Sequence, residues 1–313
     1  MSDRAMVSTA NLGRNGADAD AGSLRTGGSL EAGQTRRAIL LAIPPTLVML
    51  FGTLVGLGAI TVFSFWKSLP YGMKPGFTFE NYADFFTTAT YVDTILFTLE
   101  VAAILIPLMI LIAYPVAYFI AFQVRNERTK LFILLLCIVP FWTSALIRMI
   151  AWLPLLGRNG LINSALMSLG IIEEPAEILL YSRPAMIFSM AMIWSVFMIG
   201  PIYFSMAKIQ PMVIEAARDL GASRWRAFVR IILPLTKPGL FTGILFVFVV
   251  MMGEFAIQRF IGGGKSSMLA NVLLQNQGAL QWPLASVVAV VIVLVTLPVA
   301  LLILRAANLR NQL

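Results

Sequence analysis

The 313-residue chain is 59% hydrophobic and only 12% charged, carries a net charge of +8, and has no histidine and one cysteine. A soluble domain of this length holds about twice that charge fraction, so the composition excludes an ordinary soluble enzyme. Several apolar runs reach about 20 residues, enough to cross a hydrocarbon core of about 30 Å, and runs this long span as helices, because barrel strands are short and alternating. The fold class is therefore all-α, a polytopic membrane protein.

The first 35 residues are rich in Gly, Ala, Ser and Asp without periodicity, and read as a disordered cytoplasmic tail. Six spans follow, at roughly 38–66, 92–121, 131–156, 185–207, 238–261 and 283–304. Most basic residues fall in the tail, in the loop with Arg125, Arg128 and Lys130, in the loop running from Lys208 to Lys237, and at Arg305 and Arg310. The opposite side holds only Lys67, Lys74, Arg158, Arg183, Arg259 and Lys265. The positive-inside rule puts both termini in the cytoplasm. The positive balance is then an orientation signal and a contact for anionic lipid, and nucleic acid is not needed to explain it.

Three loops are left outside. The first, Lys67–Tyr91, reads as partly ordered. The second, Gly157–Pro184, holds an amphipathic segment, "NGLINSALMSLGII". The third, Gly262–Trp282, opens with "GGGKSS", which looks like the end of a phosphate-binding loop. The first glycine of that motif would stand at Arg259, so no nucleotide site is read there. Without histidine, with Cys137 alone in an apolar run and with no nucleophile–base set, neither metal nor catalytic chemistry is expected, and no cofactor is expected on this chain.

The loop 208–237 is polar in an otherwise greasy chain. Pro211 suits the first turn of a helix that continues through Glu215, Ala216, Ala217, Arg218 and Asp219. Gly221 suits the left-handed position that closes it, Ser223 can cap a second helix over Arg224–Ile232, and Pro234 is expected to stop that helix. The small residues Ala216, Ala217, Gly221 and Ala222 leave a flat surface for a partner. Spans on both sides keep this helix–turn–helix away from any DNA groove.

The order Glu215-Ala216-Ala217, three residues, Gly221, nine residues, Ile231, one residue, Leu233-Pro234 resembles the signature loop of permease subunits of bacterial type I ABC importers. "IVPFWTSALIRMIAW" (138–152), "GRNGLIN" (157–163), "GEF" before "IGGGKSSMLANVL", and "WPLASV" (282–287) extend the likeness to the larger permease of the spermidine/putrescine family over residues 36–310. The resemblance implies a permease domain over 36–310. It implies that Glu215, Ala216, Ala217, Arg218, Asp219, Gly221 and Ala222 couple to a separate ATPase, where ATP and Mg would bind. It also implies a second, different permease, two ATPase copies and a periplasmic binding protein in the bacterial inner membrane. The solute is then a polyamine, or an opine or other amine- or amino-acid-derived molecule. An ion-coupled transporter is the rival class, but it should show inverted repeats, and none is visible.

Glu100, Arg148 and Glu254 interrupt the spans, at about 2.5–3.5 kcal/mol each on insertion scales. At 1.5 Å per residue all three fall in the outer half of the bilayer. Two readings are open. Glu254 and Glu100 line a route for a cationic solute, with Trp142 and Trp194 as cation–π partners, or Arg148 neutralises one glutamate in an ion pair that fixes helix packing.

Overall fold

The computed structural model describes residues 41–264 and 267–307, with the Pro140 and Phe141 side chains outside the description. The expected tail, Lys265 and the C-terminal Arg310 lie outside the described residues. The chain divides into two units at Ala59. In the first, residues 41–59 belong to helix α1 (Leu41–Ser64). Its apolar side chains, Leu47, Met49 and Phe51 among them, stay exposed, as suits a span whose solvent is lipid.

The second unit opens with the end of α1. A two-stranded antiparallel hairpin follows, β1 (Lys67–Leu69) and β2 (Gly72–Lys74), and then α2 (Glu80–Thr87). Asn81 holds this loop to the span by donating to the carbonyls of Ser64 and Trp66, at 2.9 and 2.7 Å. Next come α3 (Ala89–Tyr118), α4 (Glu127–Ile138), α5 (Ala145–Leu156), α6 (Leu161–Ser168) and α7 (Arg183–Ala207). The chain continues through α8 (Pro211–Asp219), α9 (Arg224–Ala227), α10 (Leu233–Met252), α11 (Ala256–Phe260), α12 (Leu269–Gly278) and α13 (Trp282–Ala306). Among the described residues six stretches are long and apolar enough to cross a membrane.

The core is built on α7, which packs against α3 and α10. Met186, Met190, Met198 and Met206 of α7 are buried. Unbranched, polarisable side chains of this kind fill irregular gaps between helices. The α7–α10 seam is closed by Gly239 and Gly243, four residues apart on α10. A Cβ on Gly239 would strike Ser205 and the Pro201 carbonyl, and one on Gly243 would come within 2.8 Å of the Met198 sulfur. Small residues at this spacing let backbones approach in a membrane, where packing replaces the hydrophobic effect as the driving force. A second cluster joins Phe85 to Leu269 and Val272 of α12 and to Val287, Val288 and Val291 of α13.

Two spans differ from expectation. The third was expected to run unbroken over 131–156. Instead α4 ends at Ile138, a 3-10 turn covers Val139–Trp142, and α5 restarts after Ser144. Pro140 explains the break, since it lacks an N–H and disfavours helical geometry in the residue before it. The membrane-length stretch is then 145–168, which takes in the amphipathic segment as α6. The fifth span begins at Arg224 rather than 238. Pro234 does not end the second loop helix. A π turn over Phe228–Ile232 resets the hydrogen-bond ladder, with the Leu233 N–H donating to the Phe228 carbonyl, so Pro234 falls in the first turn of α10. A missing N–H costs little there.

Candidate functional site

The loop 208–237 folds as a helical elbow. Pro211 sits in the first turn of α8 and Gly221 closes it at φ +81°. The Gly221 N–H donates to the Arg218 carbonyl at 2.9 Å and the Ala222 N–H to the Ala217 carbonyl at 3.0 Å. This double bond pattern needs a left-handed residue at its centre. Ser223 then accepts from the Arg226 N–H at 3.3 Å, capping α9.

No residue of α8 is fully buried. Ile214 leans on the core, while Met212, Val213 and Leu220 point outward, Leu220 being 90% exposed. Glu215, Ala216, Arg218, Asp219 and Gly221 are exposed, and Ala217 and Ala222 half-buried. The elbow therefore presents a small-residue surface with apolar knobs and a charged rim.

An aromatic column ties this elbow to the spans. Trp225 stacks on Phe228 with centroids 5.5 Å apart, and Phe228 meets the edges of Tyr114 (5.5 Å) and Tyr118 (6.0 Å) of α3. The Tyr114 hydroxyl lies 2.5 Å from Thr236 Oγ1 of α10, and Thr236 in turn donates to the Ile232 carbonyl at 2.8 Å. Such edge-on pairs contribute about 0.5–1.5 kcal/mol each beyond burial. These contacts pack the start of the fifth span against α3 and α10. Aromatic spacing along the chain offers no sign of this column.

The intramembrane candidates separate. Glu254 is buried at 6% exposure. Its Oε1 accepts from the backbone N–H groups of Ala256 (2.8 Å) and Ile257 (2.9 Å), which caps α11. The Trp194 indole interacts with the same carboxylate, so these two candidates do meet. A negative charge at a helix start also gains from the helix dipole. Arg148 is half-buried on α5, a helix that packs on α11. Glu100 lies elsewhere, in a cavity of about 340 Å³ that it shares with Phe97 and Arg183. The Arg183 guanidinium stands 4.8 Å from the Phe97 ring centroid, a contact whose only sequence signal was a cation at the start of α7. Trp142 is 82% exposed.

Residues 109–310 match the family described as binding-protein-dependent transport system inner membrane component. The spermidine/putrescine transport system permease protein PotB of Salmonella typhimurium is 35% identical over 241 residues, covering 77% of this chain and 83% of the relative. Its Escherichia coli counterpart is equally similar, at 77% and 86% coverage. The inner membrane ABC transporter permease protein YdcU of E. coli is 28% identical over 83% of this chain and 87% of its own length. Among solved structures, a bacterial ABC transporter involved in import of the acidic polysaccharide alginate matches with a TM-score of 0.63 at 18% identity, over 88% of this chain and 96% of that one. The alginate transporter in complex with its periplasmic protein gives 0.59 at 18% identity, over 86% and 92%. At that identity the likeness is one of fold. The matched profile, the close relatives and the six-span architecture together make this chain a member of the inner membrane components of binding-protein-dependent transport systems.

Proposed function

We propose that the chain is one of two different permease subunits of an ATP-driven importer for a polyamine such as putrescine or spermidine, set in the inner membrane with both termini cytoplasmic. The reading rests above all on the elbow. It is an exposed, glycine-turned helix wired by aromatic and hydroxyl contacts into α3 and α10, on a chain whose 35%-identical relatives are named for spermidine and putrescine. Glu215–Ala222 docks on a separate ATPase subunit, two copies of which bind ATP and Mg. Their closure pushes the elbow, and the column transmits the push to the bundle, which alternates between inward and outward access. A periplasmic binding protein delivers the solute and sets most of the selectivity.

The test is reconstitution with the second permease, the ATPase and the binding protein in liposomes. ATP-dependent accumulation of labelled putrescine or spermidine is expected. The chain purified alone should neither hydrolyse ATP nor accumulate solute, and either activity would overturn the assignment. Accumulation of an opine in preference to polyamines would keep the mechanism and replace the solute.

Glu254 serves in this reading as the cap of α11 rather than as a cation relay. Glu254→Ala orphans two buried N–H groups and should destabilise the assembled protein by about 1–3 kcal/mol. Glu254→Gln keeps an acceptor oxygen and should leave the half-saturating solute concentration within about twofold. A large loss of apparent affinity in Glu254→Gln, at unchanged melting temperature, would instead place the carboxylate in the solute's route.

A further inference from the structure

A groove of about 670 Å³ opens between α3 and α10 at the foot of the elbow. Arg224 and Trp225 of α9 stand at its mouth with Tyr118 of α3, and Ile110 and Leu240 line it farther along the spans. From Tyr118 back to Ile110, and from Leu233 on to Leu240, the two walls extend about 10–12 Å at 1.5 Å per residue. Half of a hydrocarbon core of about 30 Å is about 15 Å, so the groove has the depth of most of one leaflet. Each wall carries a π turn at the mouth, Phe119–Gln123 after α3 and Phe228–Ile232 ahead of α10. Such turns are rare and often stand at functional sites.

The groove is apolar along its length and cationic at its mouth. Leu111 on its wall and Trp225 are each 72% exposed, so the apolar surface stays uncovered. Residues 224–240 include Arg224, Arg226, Arg230 and Lys237 and no acid, and residues 110–123 of the facing wall carry no charge. Among the described residues Arg224 is in no ion pair. Its guanidinium fork matches the oxygens of a phosphate. A free phosphate would leave the apolar length unused, and a partner's span crosses the whole core, about 30 Å, where this groove follows only part of it. An anionic phospholipid meets both demands in one molecule, with hydrocarbon for the walls and a phosphate for the mouth. Trp225 suits the same level, because tryptophan settles where headgroup and chain meet.

We infer that the groove holds one anionic phospholipid, with an acyl chain lying between α3 and α10 and the phosphate on Arg224. This is a discrete site, beyond the general attraction of a basic loop for anionic lipid. The inference takes from the proposed function only the orientation that makes this the cytoplasmic leaflet, whose surface potential is negative. Trp225 and Phe228 belong both to the groove and to the aromatic column. The bound lipid therefore packs on the same contacts that hold the elbow to α3.

The experiment takes the full chain in mild detergent, adds equal amounts of phosphatidylglycerol and phosphatidylethanolamine, and reads the retained lipid by native mass spectrometry. One phosphatidylglycerol per chain is expected in preference. Arg224→Gln should reduce that preference about fivefold, the effect of one cation at a membrane surface. Leu111→Trp, which fills the groove from an exposed position, should abolish retention of either lipid. Arg226→Gln removes an equal charge from an exposed position that does not line the groove, and should retain phosphatidylglycerol like the wild type. Equal losses in Arg224→Gln and Arg226→Gln would reduce the site to a general basic surface and overturn the inference. Undiminished retention in Leu111→Trp would do the same. A rise in melting temperature with glycerol phosphate equal to that with phosphatidylglycerol would assign Arg224 to a free phosphate, again overturning it. So would a disulfide, in the assembled importer, between Leu111→Cys in a Cys137→Ser background and a cysteine placed in a span of the second permease, since protein would then cover the groove. Retention of the lipid by a chain that fails in reconstituted uptake would support the site and sink the proposed function alone.

Discussion

Gly221→Val should cut ATP-driven uptake about 5- to 30-fold while the protein still inserts and assembles. Gly221 stands at φ +81°, and a Cβ added there meets nothing within 4 Å. The substitution therefore brings no clash, only the penalty of a left-handed backbone, about 1–2 kcal/mol for an L-residue and least tolerable for a β-branched one. At about 1.4 kcal/mol per factor of ten, the turned elbow loses most of its population to conformers that aim α8 elsewhere. Gly221→Asn, whose side chain tolerates this region, should recover most of the uptake, and Gly221→Ala should fall between. The measurement is the initial rate of uptake per inserted molecule, with ATPase stimulation recorded alongside. Wild-type uptake in the valine variant would remove the elbow from the coupling path.

Gly239→Val should be worse for the protein itself, with little folded material recovered. Here the obstacle is contact, because the added carbon runs into Ser205 and the Pro201 carbonyl across the α7–α10 seam, and backbone atoms cannot rotate away. Overpacking ordinarily costs about 1–3 kcal/mol and at times more, and a β-branched residue at a backbone-to-backbone approach belongs at the upper end. Gly239→Ala should already lower the melting temperature in detergent. Gly243→Ala should cost less, since the nearest atom it meets is the flexible Met198 sulfur at 2.8 Å. Gly200→Ala is the control. That glycine lies on α7 with nothing within 4 Å of its Cβ position, so the substitution should be neutral or stabilising, alanine being the better helix former by about 1 kcal/mol. Equal melting temperatures across the four variants would show that the seam is looser than its geometry implies.

Both predictions start from glycines, yet only one was legible in the chain. Gly221 could be placed because a helix end is a local event. The acceptors are Ala217 and Arg218, the next cap is Ser223, and all lie within a turn of it. Gly239 and Gly243 look like ordinary residues of a greasy run, and nothing near them in sequence names Ser205 or Met198 as neighbours. The expectation for Pro234 failed for a related reason. A proline ends a helix only if the hydrogen-bond ladder keeps its register, and the π turn at 228–232 changes that register just ahead of it. Glu254 was visible as a costly charge, but not as a cap, because the turn after Met252 that brings the Ala256 and Ile257 N–H groups onto its carboxylate is itself a product of packing.

Composition and periodicity alone determined that this chain lives in a bilayer, how many times it has the length to cross, and where its polar elbow begins and turns, since each depends on interactions reaching no farther than a few residues. Tertiary structure alone decided what the elbow is tied to and which face of each span is inside. Tyr114 meets Thr236 across 122 residues and Thr98 holds the Leu269 N–H across 171. In water the apolar stripe of a helix announces its buried side. In these spans the lipid-facing and core-facing sides are equally apolar, so the rotation of each helix, and with it every long-range contact, is set by how the side chains of its neighbours fit.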